Sequence, residues 1–314
     1  MKDQQAKLTR QAQNARAKLE AARPRNPALD AVMRTVERDT ASGGGVLAGA
    51  VAFRIFMFMV PFVFLLVGVF GLGSSASDQD PQDLARKAGI TGIVAKAVSS
   101  VGDLSFTERI FYVVVVGFAT FLATRALIKV LRIVHALVWH TRAGKLERPT
   151  RAALALIAIV LLAMGLAAMV GVLRGQSFLL GLIATLLYAA IPMVVWVYVS
   201  WHLPRPDDLP WTALIPGGVL FGLGLEGLHL VTVYWIAHSV ESKTETYGAI
   251  GFALALLLWA YLIGRLITTA AVVNESLWTR NQERLAARRR TSGETRRGGP
   301  EGPPRTDERS AWED

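Results

Sequence analysis

Residues Val46–Gly73 read VLAGAVAFRIFMFMVPFVFLLVGVFGLG, an apolar run broken only by the charge of Arg54 and the imino acid Pro61. A helix rises about 1.5 Å per residue and the hydrocarbon layer is about 30 Å thick, so a run of this length spans a bilayer. Five more apolar runs follow: Ile110–Leu131, Ala152–Leu173, Phe178–Trp201, Thr212–His238 and Tyr247–Val273. The pattern predicts an all-α polytopic bundle of six transmembrane helices.

Composition agrees with that reading. Apolar residues make up 52% of the 314 positions and charged residues only 18%, against about 25% in soluble domains. The net charge is nevertheless +10. A basic polar minority suits cationic surfaces beside anionic lipids and argues against a nucleic-acid partner. Cysteine is absent, which excludes disulfides and thiolate-held metals. Residues Met1–Thr40 are polar and carry no signal-peptide core.

Lysine and arginine placement predicts orientation. The amino-terminal arm holds nine, the second connection through Arg151 seven (counting the helix-end Arg125, Lys129 and Arg132), the fourth one and the tail nine, 26 in all on one side. The opposite connections hold 6, and Arg54 and Arg265 inside the spans complete the 34. The positive-inside rule then places both termini in the cytoplasm.

Three regions follow: a basic cytoplasmic arm at 1–45, the membrane domain at 46–278, and a tail at 279–314 expected to be disordered. The first external connection carries structure of its own. Asp80 and Pro81 can open a helix, and Ile90, Ile93, Val94, Ala97, Val98 and Val101 recur at helical spacing. That is an amphipathic helix on the outer leaflet or over the span tips. Pro61 and Pro192 each remove a backbone hydrogen bond inside a span, so a kink is expected. Pro216-Gly217-Gly218 opens the fifth span, and Gly218 with Gly222 offers a small-residue face for close packing or a hinge.

The charges inside the spans are the candidate site. Arg54 and Arg265 each lie eight residues from the cytoplasmic edge of their spans, about 12 Å deep. Glu226 lies near the midplane, with His229 three residues on along the same face. If these faces point inward, Glu226 can meet Arg265 or Arg54, leaving one positive charge to attract a carboxylate or lipid phosphate. The structural alternative is one ion pair and one arginine snorkelling to the interface.

Enzyme chemistry finds little support. The histidines lack metal-binding spacing, with His135 and His140 five apart. There is no P-loop and no nucleophile elbow, and Asp207 and Asp208 sit in a short proline-flanked turn. No cofactor or metal is expected.

At the last two spans the chain reads Leu203-Pro204 … Trp211 … Pro216-Gly217-Gly218 … Tyr247-Gly248 … Trp259 … Asn274, and at the first Leu47-Ala48 … Ala52-Phe53-Arg54 … Pro61. This order and spacing resembles the YihY/BrkB family of bacterial inner-membrane proteins over about residues 41–278. Relatives place Glu before the Asn, whereas this chain has Val272-Val273-Asn274-Glu275. The resemblance implies six spans in the inner membrane and brings no settled activity. An association of the family with a tRNA-processing ribonuclease has no chemical counterpart in these residues.

Two functions therefore stand side by side. One is transport or handling of a small anionic solute or lipid through a polar cavity. The other is a non-catalytic scaffold that recruits partners through its basic arm and tail.

Overall fold

The computed structural model describes residues 20–77, 105–144, 146, 148–174, 177–231 and 237–297, with Arg10, Asn14, Ala17 and Lys18. Among these residues every regular element is helical. A short amphipathic helix, α1 (Pro27–Ala41), precedes α2 (Gly44–Ser77), α3 (Phe106–Val138), α4 (Pro149–Arg174), α5 (Phe178–Trp201), α6 (Ile215–Val231) and α7 (Ala237–Arg297). Single 3-10 turns occupy Arg23–Arg25 and Trp211–Leu214.

Local chemistry accounts for the helix starts. The Asn26 side chain accepts from Ala28 N at 3.0 Å and Leu29 N at 3.2 Å, and Pro27 fills the first position, where no amide hydrogen is needed. Ser105 and Glu108 form a reciprocal capping box ahead of α3. Gly43, at φ +65°, turns the chain from α1 into α2 in a conformation that only glycine adopts without strain.

Five of these helices are long and apolar enough to cross a bilayer: Gly44–Val69, Phe106–Val138, Pro149–Leu166, Trp211–Leu228 and Leu256–Arg289. Among the described residues α5 adds the shorter apolar stretch Ala190–Trp201. From α2 to α7 each helix packs on the next, and α7 returns to pack on α2, so the bundle closes as a ring. Val51, Ile55, Phe58 and Phe62 of α2 meet Leu127 and Leu131 of α3, Trp196 of α5 and Ile267 of α7 in one apolar core. The outer surface is apolar as well: Phe111, Phe118, Leu162, Val194 and Leu223 are all exposed. In water such a surface would aggregate; in lipid it is matched.

Glycine sets the closest approach in the ring. A Cβ on Gly264 of α7 would stand 2.5 Å from the Ala48 carbonyl oxygen of α2. The small faces of Gly218 and Gly222 bring α6 against Met193 and Val197 of α5. Both prolines lie inside helices that run on past them, Pro61 in α2 and Pro192 in α5.

Two expectations are corrected. The chain beyond residue 279 does not begin as coil: α7 continues to Arg297. The run NQERLAARRR is rich in strong helix formers, and that local preference outweighs its polarity. The break expected between His238 and Tyr247 is also absent, because α6 ends at Val231 and α7 already begins at Ala237. The polar residues between lie inside the helical course of α7. Within the amino-terminal arm, Pro27–Ala41 forms α1, which packs on α7 and α2. The amphipathic helix expected over residues 80–101 lies outside the described residues.

Gly264→Ala should destabilise the bundle by about 1–3 kcal/mol through overpacking, whereas Gly49→Ala, which meets nothing within 4 Å, should be neutral. Thermal unfolding of both variants in detergent checks this; equal midpoints would refute the α2–α7 contact.

Candidate functional site

Among the described residues no hydrogen bond or ion pair joins Arg54, Glu226 and Arg265 to one another, and the one acidic partner shown for the three lies outside the spans. Arg265 of α7 directs Nη1 and Nη2 to Oδ1 and Oδ2 of Asp39, at 3.3 and 2.9 Å. Its partner is thus a carboxylate of α1, not Glu226. Among the described residues Glu226 makes no hydrogen bond or ion pair, and the His229 side chain lies outside them. Arg54 is half-buried on α2, with its guanidinium carbon 5.7 Å from the Phe53 ring centroid.

Asp39 reaches Arg265 because the chain reverses tightly after α1. A Cβ on Gly44 would collide with the Asp39 carboxylate, so the carboxylate fills the space that glycine leaves. One residue earlier, Arg38 forks onto Glu275: Nε donates to Oε2 at 2.8 Å and Nη2 to Oε1. The Thr279 hydroxyl donates to the same carboxylate at 3.0 Å. The hydroxyls of Thr35 and Ser276 lie 3.0 Å apart. Farther along, Arg34 meets Glu283 at 3.0 Å and Arg280 meets Asp30 at 3.3 Å. Arg23 braces the start of α1 through Asp30 and Glu37. The whole forms a clamp in which carboxylates and guanidinium groups alternate between α1 and α7.

Two-pronged guanidinium–carboxylate pairs are among the stronger polar contacts because both N–H bonds are charge-assisted. Glu275 holds the Arg38 guanidinium above its ordinary range. Hydrogen bonding from Arg23 foremost, with Arg34 adding to it, holds the Asp30 carboxyl below its usual 3.8.

The motif residues of the last spans have structural explanations. Asn274 is 1% exposed and its Oδ1 accepts the Gly217 amide at 2.6 Å. A side chain from α7 thereby satisfies one of the unpaired amides in the first turn of α6. Gly217 is required there, since a Cβ would strike the Ala270 carbonyl and the Asn274 amide. Pro216 sits half-buried in the same turn. Tyr247 and Gly248 lie within the helical course of α7, and their surroundings are outside the described residues. Asp207 and Asp208 are exposed.

A second site lies between α3, α4 and α5. It is a cleft of about 710 Å³. Arg132, Arg148 and Arg151 stand at its rim with His202, and Leu131, Leu156 and Ile159 form its wall. Arg132 donates from Nη2 to the Ala143 carbonyl, tying the connection to α3. The residue pattern alone reads these arginines chiefly as an orientation signal among anionic lipid headgroups; their convergence depends on the α3–α4 turn, where His140 at φ 51° and Gly144 at φ 54° reverse the chain.

The profile of the family described as virulence factor BrkB matches residues 35–295. The chain belongs to the BrkB family. Searches of curated proteins and of solved structures found no match. The BrkB match begins within α1 and ends within the polar extension of α7, so it takes in most of the clamp as well as the ring.

Arg38→Ala leaves Glu275, whose side chain is 4% exposed, without its cation. That should cost about 3–5 kcal/mol. Glu275→Gln should cost less than half as much, because Arg38 is 39% exposed and can turn to water. Comparing unfolding midpoints of the two variants checks the asymmetry.

A carboxyl with a depressed folded pKa adds stability above its unfolded value and loses it as pH falls through the folded one. Amide-exchange protection of α1 should therefore hold from neutral pH down to about pH 5. It should fall away below 3.8, the ordinary value from which Asp30 is depressed. Loss of protection already at about pH 6 would contradict the clamp.

Proposed function

We propose that this BrkB-family protein spans the bacterial inner membrane six times with both termini in the cytoplasm. In this reading it handles an anionic solute or lipid that enters from the cytoplasmic leaflet, without catalysing a reaction. The observation that carries the proposal is the cleft between α3, α4 and α5, where three guanidinium groups from separate segments stand above an aliphatic wall. Guanidinium groups bind carboxylate and phosphate oxygens in a fixed fork. Retention of several at one rim, on the side that the lysine and arginine distribution places inward, suits an anionic ligand.

The scaffold reading draws less support. The docked part of the arm uses Asp30, Arg34, Arg38 and Asp39 in pairs within the protein, which leaves fewer charges to present to a partner.

The test is flux. The full chain is reconstituted into vesicles, and the movement of a fluorescent acidic lipid analogue and of soluble organic anions is followed. Arg148→Gln with Arg151→Gln should slow the transported anion by at least about tenfold, since each lost charge-assisted bond is worth about 1.5–3 kcal/mol. No flux of any anion, with unimpaired cellular function of the same double variant, would overturn the proposal.

A further inference from the structure

The two ends of the α3–α4–α5 cleft ask for different chemistry, and one class of molecule answers both. At the rim, Arg132 comes from the last turns of α3, Arg148 from the connection and Arg151 from the first turn of α4. Arg148 and Arg151 are exposed. Arg132 is half-buried, and one of its five N–H donors is engaged by the connection, at the Ala143 carbonyl. No carboxylate is among the described lining residues; Glu147, between Leu146 and Arg148, lies outside them. Even with that one carboxylate counted, the rim keeps an excess of positive charge.

Below the rim the cleft is a wall of hydrocarbon. Leu131 of α3, Leu156 and Ile159 of α4, and Val199 and Leu203 of α5 line it. From Arg151 to Ile159 the helix advances about 12 Å, so the apolar wall runs well past headgroup depth. The cleft also opens sideways: Ala155 is exposed, and so is Tyr198 at 55%. His202 turns Nδ1 to the Tyr198 carbonyl at 2.9 Å and its ring lies tilted against the tyrosine, with centroids 4.5 Å apart; aromatic rings of this kind favour the headgroup level.

A small hydrophilic anion would use the arginines and leave the wall without a partner. An acidic peptide would need backbone hydrogen bonds along a wall that offers none. A zwitterionic lipid would bring its own cation to a cationic rim. A neighbouring groove on α5 that shares Tyr198 sharpens the contrast: it is about as large, at 670 Å³, is lined by Val194, Trp211 and Ile215, and has no charged residue among its described lining residues. An apolar groove on this surface therefore does not come with arginines by default.

Resting on the functional reading above, we infer that the α3–α4–α5 cleft is a binding site for an acidic phospholipid of the cytoplasmic leaflet. Its phosphate lies among Arg132, Arg148 and Arg151, and one acyl chain lies along Leu131, Leu156 and Ile159. The lipid enters laterally past Ala155 and Tyr198. Phosphate oxygens accept the guanidinium N–H bonds, and the chain replaces water or loose lipid against the wall.

The experiment uses the full chain purified in mild detergent. Thermal unfolding is followed while phosphatidylglycerol, phosphatidylcholine or inorganic phosphate is added, and retained lipid is identified by mass spectrometry. Phosphatidylglycerol should raise the midpoint saturably, by at least about 2 °C, and should be enriched among retained lipids. Phosphatidylcholine and phosphate should do neither. Joint replacement Arg132→Gln, Arg148→Gln and Arg151→Gln should abolish the shift. So should Ala155→Trp, which fills the groove and leaves its charge intact. Arg142→Gln, an exposed arginine of the same connection that does not line the cleft, should keep it.

An equal shift with phosphatidylcholine, or an Arg142→Gln loss as large as that of the triple variant, would overturn the assignment to a built site. Stabilisation by inorganic phosphate alone would overturn the lipid and leave the wider reading of an anion-handling protein standing. Should the triple variant fail to fold, Ala155→Trp and the retained-lipid analysis still decide the matter.

Discussion

Arg265 sits inside the last membrane helix, where an unanswered charge is expensive, and the carboxylate that answers it belongs to Asp39, 226 positions earlier in the chain. That pairing joins α1 to α7. Because Asp39 lies in the last turn of α1 and Gly44 opens α2, holding the carboxylate also fixes how α2 leaves the turn after α1. Gly264, one residue before Arg265, lets the backbone of α7 approach that of α2 closely. Ion pair and close backbone contact are therefore neighbours on the same turn, and the seam that closes the ring is locked at both the polar and the apolar level. The remaining pairs, Arg38 with Glu275 and Arg34 with Glu283, extend the lock along α7.

Much of the bundle was legible in the sequence because a span is a one-dimensional signal. Hydropathy and length mark Val46–Gly73 or Phe178–Trp201 without reference to any other part of the chain, and the structure gives helices over both. Helix ends were less legible where polar residues keep a high helical preference. The run around Gln282–Arg290 reads as polar tail by hydropathy and as helix by propensity, and α7 follows propensity. Between Ala237 and Tyr247 the same conflict resolves the same way.

The site was harder to read, for a different reason. Depth along a helix can be counted from sequence, but azimuth and partner cannot. Arg54, Glu226 and Arg265 were grouped by depth, and Arg265 found its counter-ion on a segment that had no membrane depth at all. Asp30, Arg34 and Arg38 recur at a four-residue spacing that announces one charged helical face. That spacing does not say whether water or α7 covers it. Asn274 is the reverse case. Its place in the family motif was visible, but its role depends on the Gly217 amide, 57 residues away.

The ring also distributes its packing unevenly, and this bears on where a ligand can act. In α4 only 6% of the span window is buried within the protein, against 39% in α7. Leu154, Leu161, Leu162 and Met164 of α4 all face outward. Few internal contacts oppose a small displacement of such a helix, whereas the α2–α7 seam is held by backbone contact and paired charges. Regions that must move are drawn from the less stable parts of a structure. The cleft with its arginines borders α4, at the opposite side of the ring from the clamp. A ligand wedged there would act on the most weakly held member of the bundle while the clamp keeps the rest in register. The division of labour follows from the chain itself: charge pairing closes the ring at one seam, and sparse packing leaves it adjustable at the other.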